Sequence, residues 1–365
     1  LGEGNPRLRK GKNLTRPILH RLVKARILQR VTSPIPSPSE ALFEVAVREL
    51  RAGELVAFPT ETVYGLGADA TNEIAVRSIF EVKGRPSTNP LIVHLAKLAD
   101  VTKHCDLHKA FDPKLVTERL EKLSALWPGP LSVVLPRGDS IAPSVSAGGA
   151  SLAVRIPNHP VALRLLSLFG GPIAAPSANP SEYVSPTTAD HVRCGLGSKV
   201  RCILDGGPCT VGLESTVLSL LEPTPRILRP GAITAAALEQ ILGTEVLRIG
   251  PSPENSDVKL SPGLLAKHYA PRTPVRLMSS LTPDTPLPSR LGAILFQPRE
   301  ISLNAVETRI LSDRGNLDEV AVHLFAALRE LDNLSLDTIL IDTCEPVGLG
   351  EAIMDRLLRA SSKTG

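Results

Sequence analysis

Short apolar runs rich in β-branched residues alternate with helix-patterned stretches along this chain. Most of these runs end in loops of glycine, proline and small hydroxylic residues. Such alternation restricts the fold to the α/β class, in which ligands sit where strands give way to loops. The stretch Lys83-Gly84-Arg85-Pro86-Ser87-Thr88-Asn89-Pro90-Leu91-Ile92-Val93-His94 carries the pattern most clearly. A helix-like run from Glu73 to Val82 leads into it, and Gly84 and Pro86 forbid that helix from continuing. Leu91 to Leu95 then reads as a buried strand. Lys83 and Arg85 are therefore expected on a stiff loop at the mouth of a sheet, where anions bind, rather than on a solvated turn.

The same grammar extends in both directions. Ser37 as N-cap, Pro38 at N1 and Glu40 at N3 predict a capping box, opening a helix that Gly53 ends. Leu55 to Phe58 is a short strand feeding the hydroxyl- and glycine-rich loop Pro59 to Gly67. Helices are expected over Pro113–Leu126, Val161–Phe169 and Thr234–Leu242, and strands over Leu131–Leu135, Ser151–Pro157, Glu214–Leu218 and around Arg226–Arg229. Arg155 interrupts an apolar strand and must be paired or face a pocket, since an unpaired buried charge costs several kcal/mol, order of magnitude. Ser185 is placed as the N-cap of the next helix, whose free N–H groups suit phosphate. A small second α/β pattern begins at Val275, with strands at Val275–Met278, Gly292–Phe296 and Thr338–Ile341 and a helix over Leu317–Leu331. Gly348-Leu349-Gly350 before the last helix reads as a tight αβ turn. The expected divisions are a basic leader or disordered tail over 1–38, a first domain over 39–245, a linker over 246–273 and a second domain over 274–365.

Charge and composition exclude several classes. The first thirty residues carry +8, which leaves −4 for the rest of a chain whose total is +4. A mildly acidic body argues against a broad nucleic-acid surface, and only 3% aromatic residues argue against base stacking. Five cysteines without C-x-x-C spacing point to a reduced compartment and no structural zinc. No apolar run reaches ~18 residues, so no membrane span is expected. There is no Walker loop, so any nucleotide is held by other means. A cytoplasmic protein is expected, with import into a mitochondrion or plastid through the basic leader as the alternative.

Taken together, Pro59 to Gly67, Lys83-Gly84-Arg85, Asn89-Pro90-Leu91, Arg155, Pro176-Ser177-Ala178-Asn179, Ser215-Thr216-Val217 and Arg229-Pro230-Gly231 resemble the YrdC-like threonylcarbamoyl-AMP synthases. The resemblance runs from about residue 40 to 240. It continues through His268-Tyr269-Ala270-Pro271 into the small C-terminal domain, as in the long two-domain form. It implies a twisted mixed-sheet domain plus a small Rossmann-like α/β domain. The implied reaction joins L-threonine, bicarbonate and ATP into threonylcarbamoyl-AMP and pyrophosphate. A downstream transferase complex would then modify the adenosine next to the anticodon of tRNA. By the same resemblance, Lys83 and Arg85 are the catalytic cations, and Thr62, His94, Arg155 and Ser215 bind L-threonine. Arg85, Asn89, Ser151, Ser177, Asn179, Ser185 and Arg229 bind ATP, whose phosphates carry Mg²⁺ with no separate protein metal site. Tyr269 belongs to a lid over Lys267 to Pro271. Ser151 and Ala175 stand where threonine is frequent; Ser151 keeps a hydroxyl, whereas Ala175 offers only backbone. Positioning and fixed cations suffice for this chemistry, so no side-chain nucleophile is needed. The alternative from another class is a double-stranded-RNA-binding or ribosome-maturation module with weak RNA binding. The hydrogenase-maturation proteins that use carbamoyl phosphate share the domain type, but they carry cysteine pairs that this chain lacks.

Overall fold

In a computed structural model, residues 37–248, 268–282, 285–299 and 305–362 are described. Residues 1–36 of the leader, the middle of the linker and Lys267 lie outside these residues. The first unit contains α1 (Glu40–Arg51), β1 (Val56–Phe58), β2 (Gly65–Asp69), α2 (Glu73–Lys83), β3 (Ile92–His94), α3 (Val101–His104) and α4 (Pro113–Leu123). It continues through β4 (Leu131–Pro136), β5 (Ser151–Arg155), α5 (Pro160–Phe169), β6 (Ile173–Ala174), α6 (Ala189–Leu196), β7 (Cys202–Ile203), β8 (Thr216–Ser219), β9 (Arg226–Arg229), α7 (Ala235–Leu242) and β10 (Leu247–Arg248). The second unit contains β11 (Val275–Leu277), β12 (Leu291–Leu295), β13 (Ala305–Ile310), α8 (Leu317–Asp332), β14 (Thr338–Ile341) and α9 (Leu349–Ser361).

The ten strands of the first unit form one mixed sheet in the order β10-β9-β8-β4-β5-β3-β6-β2-β1-β7. The four of the second form a separate sheet, β11-β14-β12-β13, with every pair parallel. Register does the first part of site assembly. β3 and β5 run parallel with His94 opposite Arg155, and an isolated bridge joins Gly65 to Ser177. Residues far apart in sequence thus meet at one end of the central strands.

Helix ends follow local chemistry. Asn72 accepts hydrogen bonds from the amides of Ile74 and Ala75 at the start of α2, and Gly84 (φ +63°) ends it in the left-handed region. Two expected caps are displaced. Ser39, not Ser37, caps α1 by accepting from Leu42 N, which makes Glu40 a first-turn acid and dissolves the expected capping box. Thr188, not Ser185, caps α6 through His191 N, so Ser185 offers no helix terminus to phosphate.

Three strands were not expected: β2, β10 and β13. In β2, Leu66 and Ala68 face the core, and a Cβ on Gly67 would come within 2.8 Å of both Phe58 and Ile173 side chains. The glycines that read as loop are there because neighbouring strands crowd them. β13 is an edge strand whose Glu307 and Arg309 hide the pattern from a reader looking for apolar runs. At the Gly348 turn, a Cβ on Gly350 would lie 2.0 Å from the Glu345 carbonyl oxygen. That is the tight αβ turn expected.

The second unit's core does not stop at its own sheet. Val63, Val184 and Leu213 of the first unit and Tyr269 of the linker pack into one apolar cluster with Phe325, Leu324, Ile353 and Leu357. Among the described residues, no helix is long and apolar enough to cross a membrane.

Candidate active site

A cavity opens where β2, β3, β5, β6 and β8 meet their loops. It is lined by Thr60, Thr62, Val63, Gly65, Arg85, Ile92, His94, Arg155, Ala175, Pro176, Ser177, Glu214, Ser215, Arg229, His268 and Tyr269. Eight residues expected from sequence are brought together here: Thr62, Arg85, His94, Arg155, Ser177, Ser215, Arg229 and Tyr269. Lys83, Asn89, Asn179 and Ser185 are buried beside the cavity without lining it. Ser151 sits at the far end of β5 from Arg155, about 13 Å away along an extended strand, and is half-buried.

Each cation is anchored by backbone or hydroxyl oxygens. Arg155 Nη1 donates to Thr62 Oγ1 at 2.9 Å. The Thr60 hydroxyl donates to Val63 O at 2.7 Å, so across the 2.8 Å Thr60–Thr62 contact the Thr62 hydroxyl must be the donor. The hydrogens therefore run one way, from Arg155 through Thr62 and Thr60 into the backbone. The same guanidinium lies 2.8 Å from Glu61 Oε2, both side chains being buried. No N–H points along that contact, so it acts as an ion pair rather than a directed hydrogen bond. Arg155 is thus both paired and pocket-facing.

Arg229 donates through Nε and Nη2 to Ser215 O, at 3.1 and 3.0 Å, and through Nη2 to Ser215 Oγ at 3.1 Å. Ser215 Oγ also meets Ser132 Oγ at 2.8 Å. Arg85 turns back on its own loop, with Nε on Asn89 O at 3.0 Å and Nη2 on Pro90 O at 2.8 Å. Lys83 Nζ donates to the carbonyls of Ser177 and Asn179, tying the K-x-R loop to the S-x-N loop. Neither cation is on a solvated turn. Lys83, however, does not face the cavity: its ammonium is consumed in holding the opposite loop.

The electrostatics follow from so many buried cations. Burial, then Arg85 and Arg329, push the Lys83 ammonium well below its ordinary range. Burial lowers Arg85 to about 9, with Tyr269 opposing and Arg229 adding. Burial and then Arg155 hold His94 down at about 3, so its imidazole is neutral beside the guanidinium. His268 is pushed well below its usual value by burial and by Arg85, Lys83, Arg229 and Arg356. A site with this surplus of positive charge stabilises anions, and more strongly where water is excluded.

Sequence reasoning assigned no role to Glu61, Thr60 or Glu214. Glu61 lies between two hydroxyls of the same loop, and Glu214 immediately precedes Ser215. An acid embedded in a hydroxylic ligand loop was the available signal. The partners of these acids, at Arg155 and Arg356, lie too far along the chain to be inferred.

A family model described as Telomere recombination matches residues 48–231. A second, described as Threonylcarbamoyl-AMP synthase, C-terminal domain, matches 233–362. Threonylcarbamoyl-AMP synthase of Bacillus subtilis is 40% identical over 321 residues, spanning 86% of this chain and 90% of that protein. The Pyrococcus abyssi protein of the same name is 39% identical, spanning 87% and 93%. The crystal structure of P. abyssi Sua5 complexed with L-threonine superimposes with a TM-score of 0.76 at 36% identity, covering 89% of this chain and 96% of that one. With both models matched in order and such identity along nearly the whole length, this chain belongs to the threonylcarbamoyl-AMP synthase family, in the form that carries a C-terminal domain.

Proposed function

We propose that the cavity condenses L-threonine, bicarbonate and ATP into threonylcarbamoyl-AMP and pyrophosphate, as the family's name implies. The observation that carries this is the convergence of Arg85, Arg155 and Arg229 on one cavity whose remaining polar lining is hydroxyls, two neutral imidazoles and one carboxylate. Threonine's amine adds to the carbon of bicarbonate, with loss of water, to give a carbamate. A carbamate oxygen then bonds to the α-phosphorus of ATP as the bond from that phosphorus to the bridging oxygen breaks, releasing pyrophosphate. Arg155 takes the threonine carboxylate, while Thr62, His94 and Ser215 fix the rest of the amino acid. Thr62 has spent its hydrogen on Thr60 and can only accept, which suits the amine or hydroxyl of threonine. Arg229 and Arg85 face the phosphates, and Ser177 and Asn89 complete the nucleotide side; both amide atoms of Asn89 are buried without a partner among the described residues. Lys83 acts by holding the Ser177–Asn179 loop at its working distance.

Mg²⁺ enters with the nucleotide in this reading. The two carboxylates at the site are already engaged, Glu61 with Arg155 and Glu214 with Ser185 and Arg356. Phosphate oxygens and water are the natural ligands for an ion that dehydrates reluctantly. His268 and Tyr269 cover the cavity and leave ≈ 50 Å³ of free space, whereas sites for ligands of this size need roughly 300 Å³ or more. The segment must therefore withdraw to admit ATP and return to keep water from the mixed anhydride. The product is handed to a transferase that modifies tRNA.

The test is pyrophosphate release assayed with each substrate omitted in turn. Release should require threonine and bicarbonate together, and should stop on chelation and recover with Mg²⁺. Equal release with neither threonine nor bicarbonate present would overturn the proposal.

A further inference from the structure

Arg356 belongs to the second unit but works at the wall of the first. It lies in the middle of α9, is 1% exposed, and spreads its guanidinium over three neighbours of the cavity. Nε donates to Glu214 Oε2 at 2.9 Å, and Nη2 donates to Pro230 O at 3.0 Å. Its Cζ stands 5.1 Å above the ring centroid of Tyr269, which stacks on Phe325 of α8 from elsewhere. Nη1 completes the set on the adjacent Asp355 at 2.7 Å. The other oxygen of Glu214 accepts from the Ser185 hydroxyl at 2.5 Å.

Each of these contacts leads to the nucleotide side. Glu214 and Tyr269 line the cavity. Pro230 follows Arg229, and Gly231 is pressed so closely on Ser215 and Thr216 that a Cβ there would lie 2.3 Å from Thr216 N. A shift of the Pro230 carbonyl therefore moves Arg229 against Ser215. One planar fork with donors in several directions can hold all three wall elements at once, which a lysine ammonium or an apolar side chain cannot.

We propose that Arg356 is a positioning residue for the adenylation reaction. Supplied by the C-terminal domain, it fixes Glu214 with the Ser185 hydroxyl, the Pro230 turn beside Arg229, and the Tyr269 ring over the cavity. The nucleotide half of the site is thus completed by the second domain, while Arg155 and its direct partners Thr62 and Glu61 belong to the first. This rests on the assignment of the cavity to ATP and threonine made above.

The test uses the full chain with Arg356→Lys, Arg356→Met and the double variant Glu214→Leu/Arg356→Met, which strands no buried charge. ATP affinity is read by calorimetry, KM and kcat by pyrophosphate release, and stability by thermal unfolding. Arg356→Lys should raise KM for ATP about tenfold and leave KM for threonine within about twofold. Arg356→Met should bind ATP still more weakly. The double variant should recover thermal stability without recovering ATP affinity. Recovery of ATP affinity together with stability would make Arg356 a structural strut and overturn the proposal. Equal losses for threonine and ATP would overturn it too, as would failure of all three variants to fold. Wild type that binds ATP but releases no threonine-dependent pyrophosphate would refute the reaction assignment, while the ATP affinities would still decide the role of Arg356. Wild type that binds no ATP would overturn both.

Discussion

Removing Arg155 should do two separable kinds of damage. Arg155 and Glu61 are 4% and 2% exposed and form a pair in the floor of the site. Arg155→Met leaves the Glu61 carboxylate buried without a cation, which costs about 3–5 kcal/mol when one partner of such a pair is deleted. For a domain of roughly 200 residues, such as the first, each kcal/mol moves the melting temperature by roughly 2–4 °C, so the variant should melt about 10 °C below wild type. Glu61→Leu/Arg155→Met removes both charges and should recover most of that loss, since buried pairs replaced by apolar residues are often neutral. Neither variant should turn over threonine, because the guanidinium assigned to its carboxylate is gone from both. Urea unfolding followed by circular dichroism supplies the stabilities, and threonine-dependent pyrophosphate release supplies the activities. The reasoning fails if Arg155→Met is as stable as the double variant, or if the double variant retains threonine-dependent turnover.

Arg85→Lys should lower kcat/KM about tenfold to a hundredfold through loss of the phosphate-facing fork. It should also lower the melting temperature, because one ammonium cannot replace the bonds to both Asn89 O and Pro90 O; wild-type kinetics and melting would show the loop indifferent to the residue. Acid should destabilise the fold early. His94 and His159 are held by burial at about 3 and about 4, below the unfolded value of 6.5. As pH falls below 6.5 the unfolded chain takes up protons that the folded one refuses, so stability is full above 6.5 and declines through the window down to about 3. By pH 5 that is about 2 kcal/mol for each histidine. A urea midpoint equal at pH 7.5 and pH 5 would contradict the neutral, buried state of both.

What could be read from the sequence was set by local chemistry. The break after α2, the buried β3 and the charge on β5 all follow from residues within a few positions of one another. Ser177, Ser215 and Arg229 were expected through the resemblance to the family, and position marked only Arg229, at the end of β9. The displaced caps at Ser39 and Thr188 come from competition between neighbouring hydroxyls, which only the path of the chain decides. β2 and β13 were hidden because glycines in one and charges in the other obey packing against neighbours not adjacent in sequence. The same limit hid Glu61 and Glu214, and it inflated Lys83, whose pairing with carbonyls of residues 177 and 179 gives it a structural duty that a motif cannot display.

Tyr269, which the proposed function makes part of a lid, is packed in the second domain's apolar core. Withdrawing the lid therefore takes a core residue out of its seat, and exposing such a side chain costs about 2 kcal/mol. A closed form favoured by that much leaves roughly one molecule in thirty open at any instant, since 1.4 kcal/mol is a factor of ten. ATP then meets mostly shut molecules, and its apparent dissociation constant exceeds the intrinsic one by the inverse of the open fraction. The same imbalance favours the closed form over bound substrates too, so affinity forgone on entry is recovered as retention of an intermediate that water would otherwise destroy.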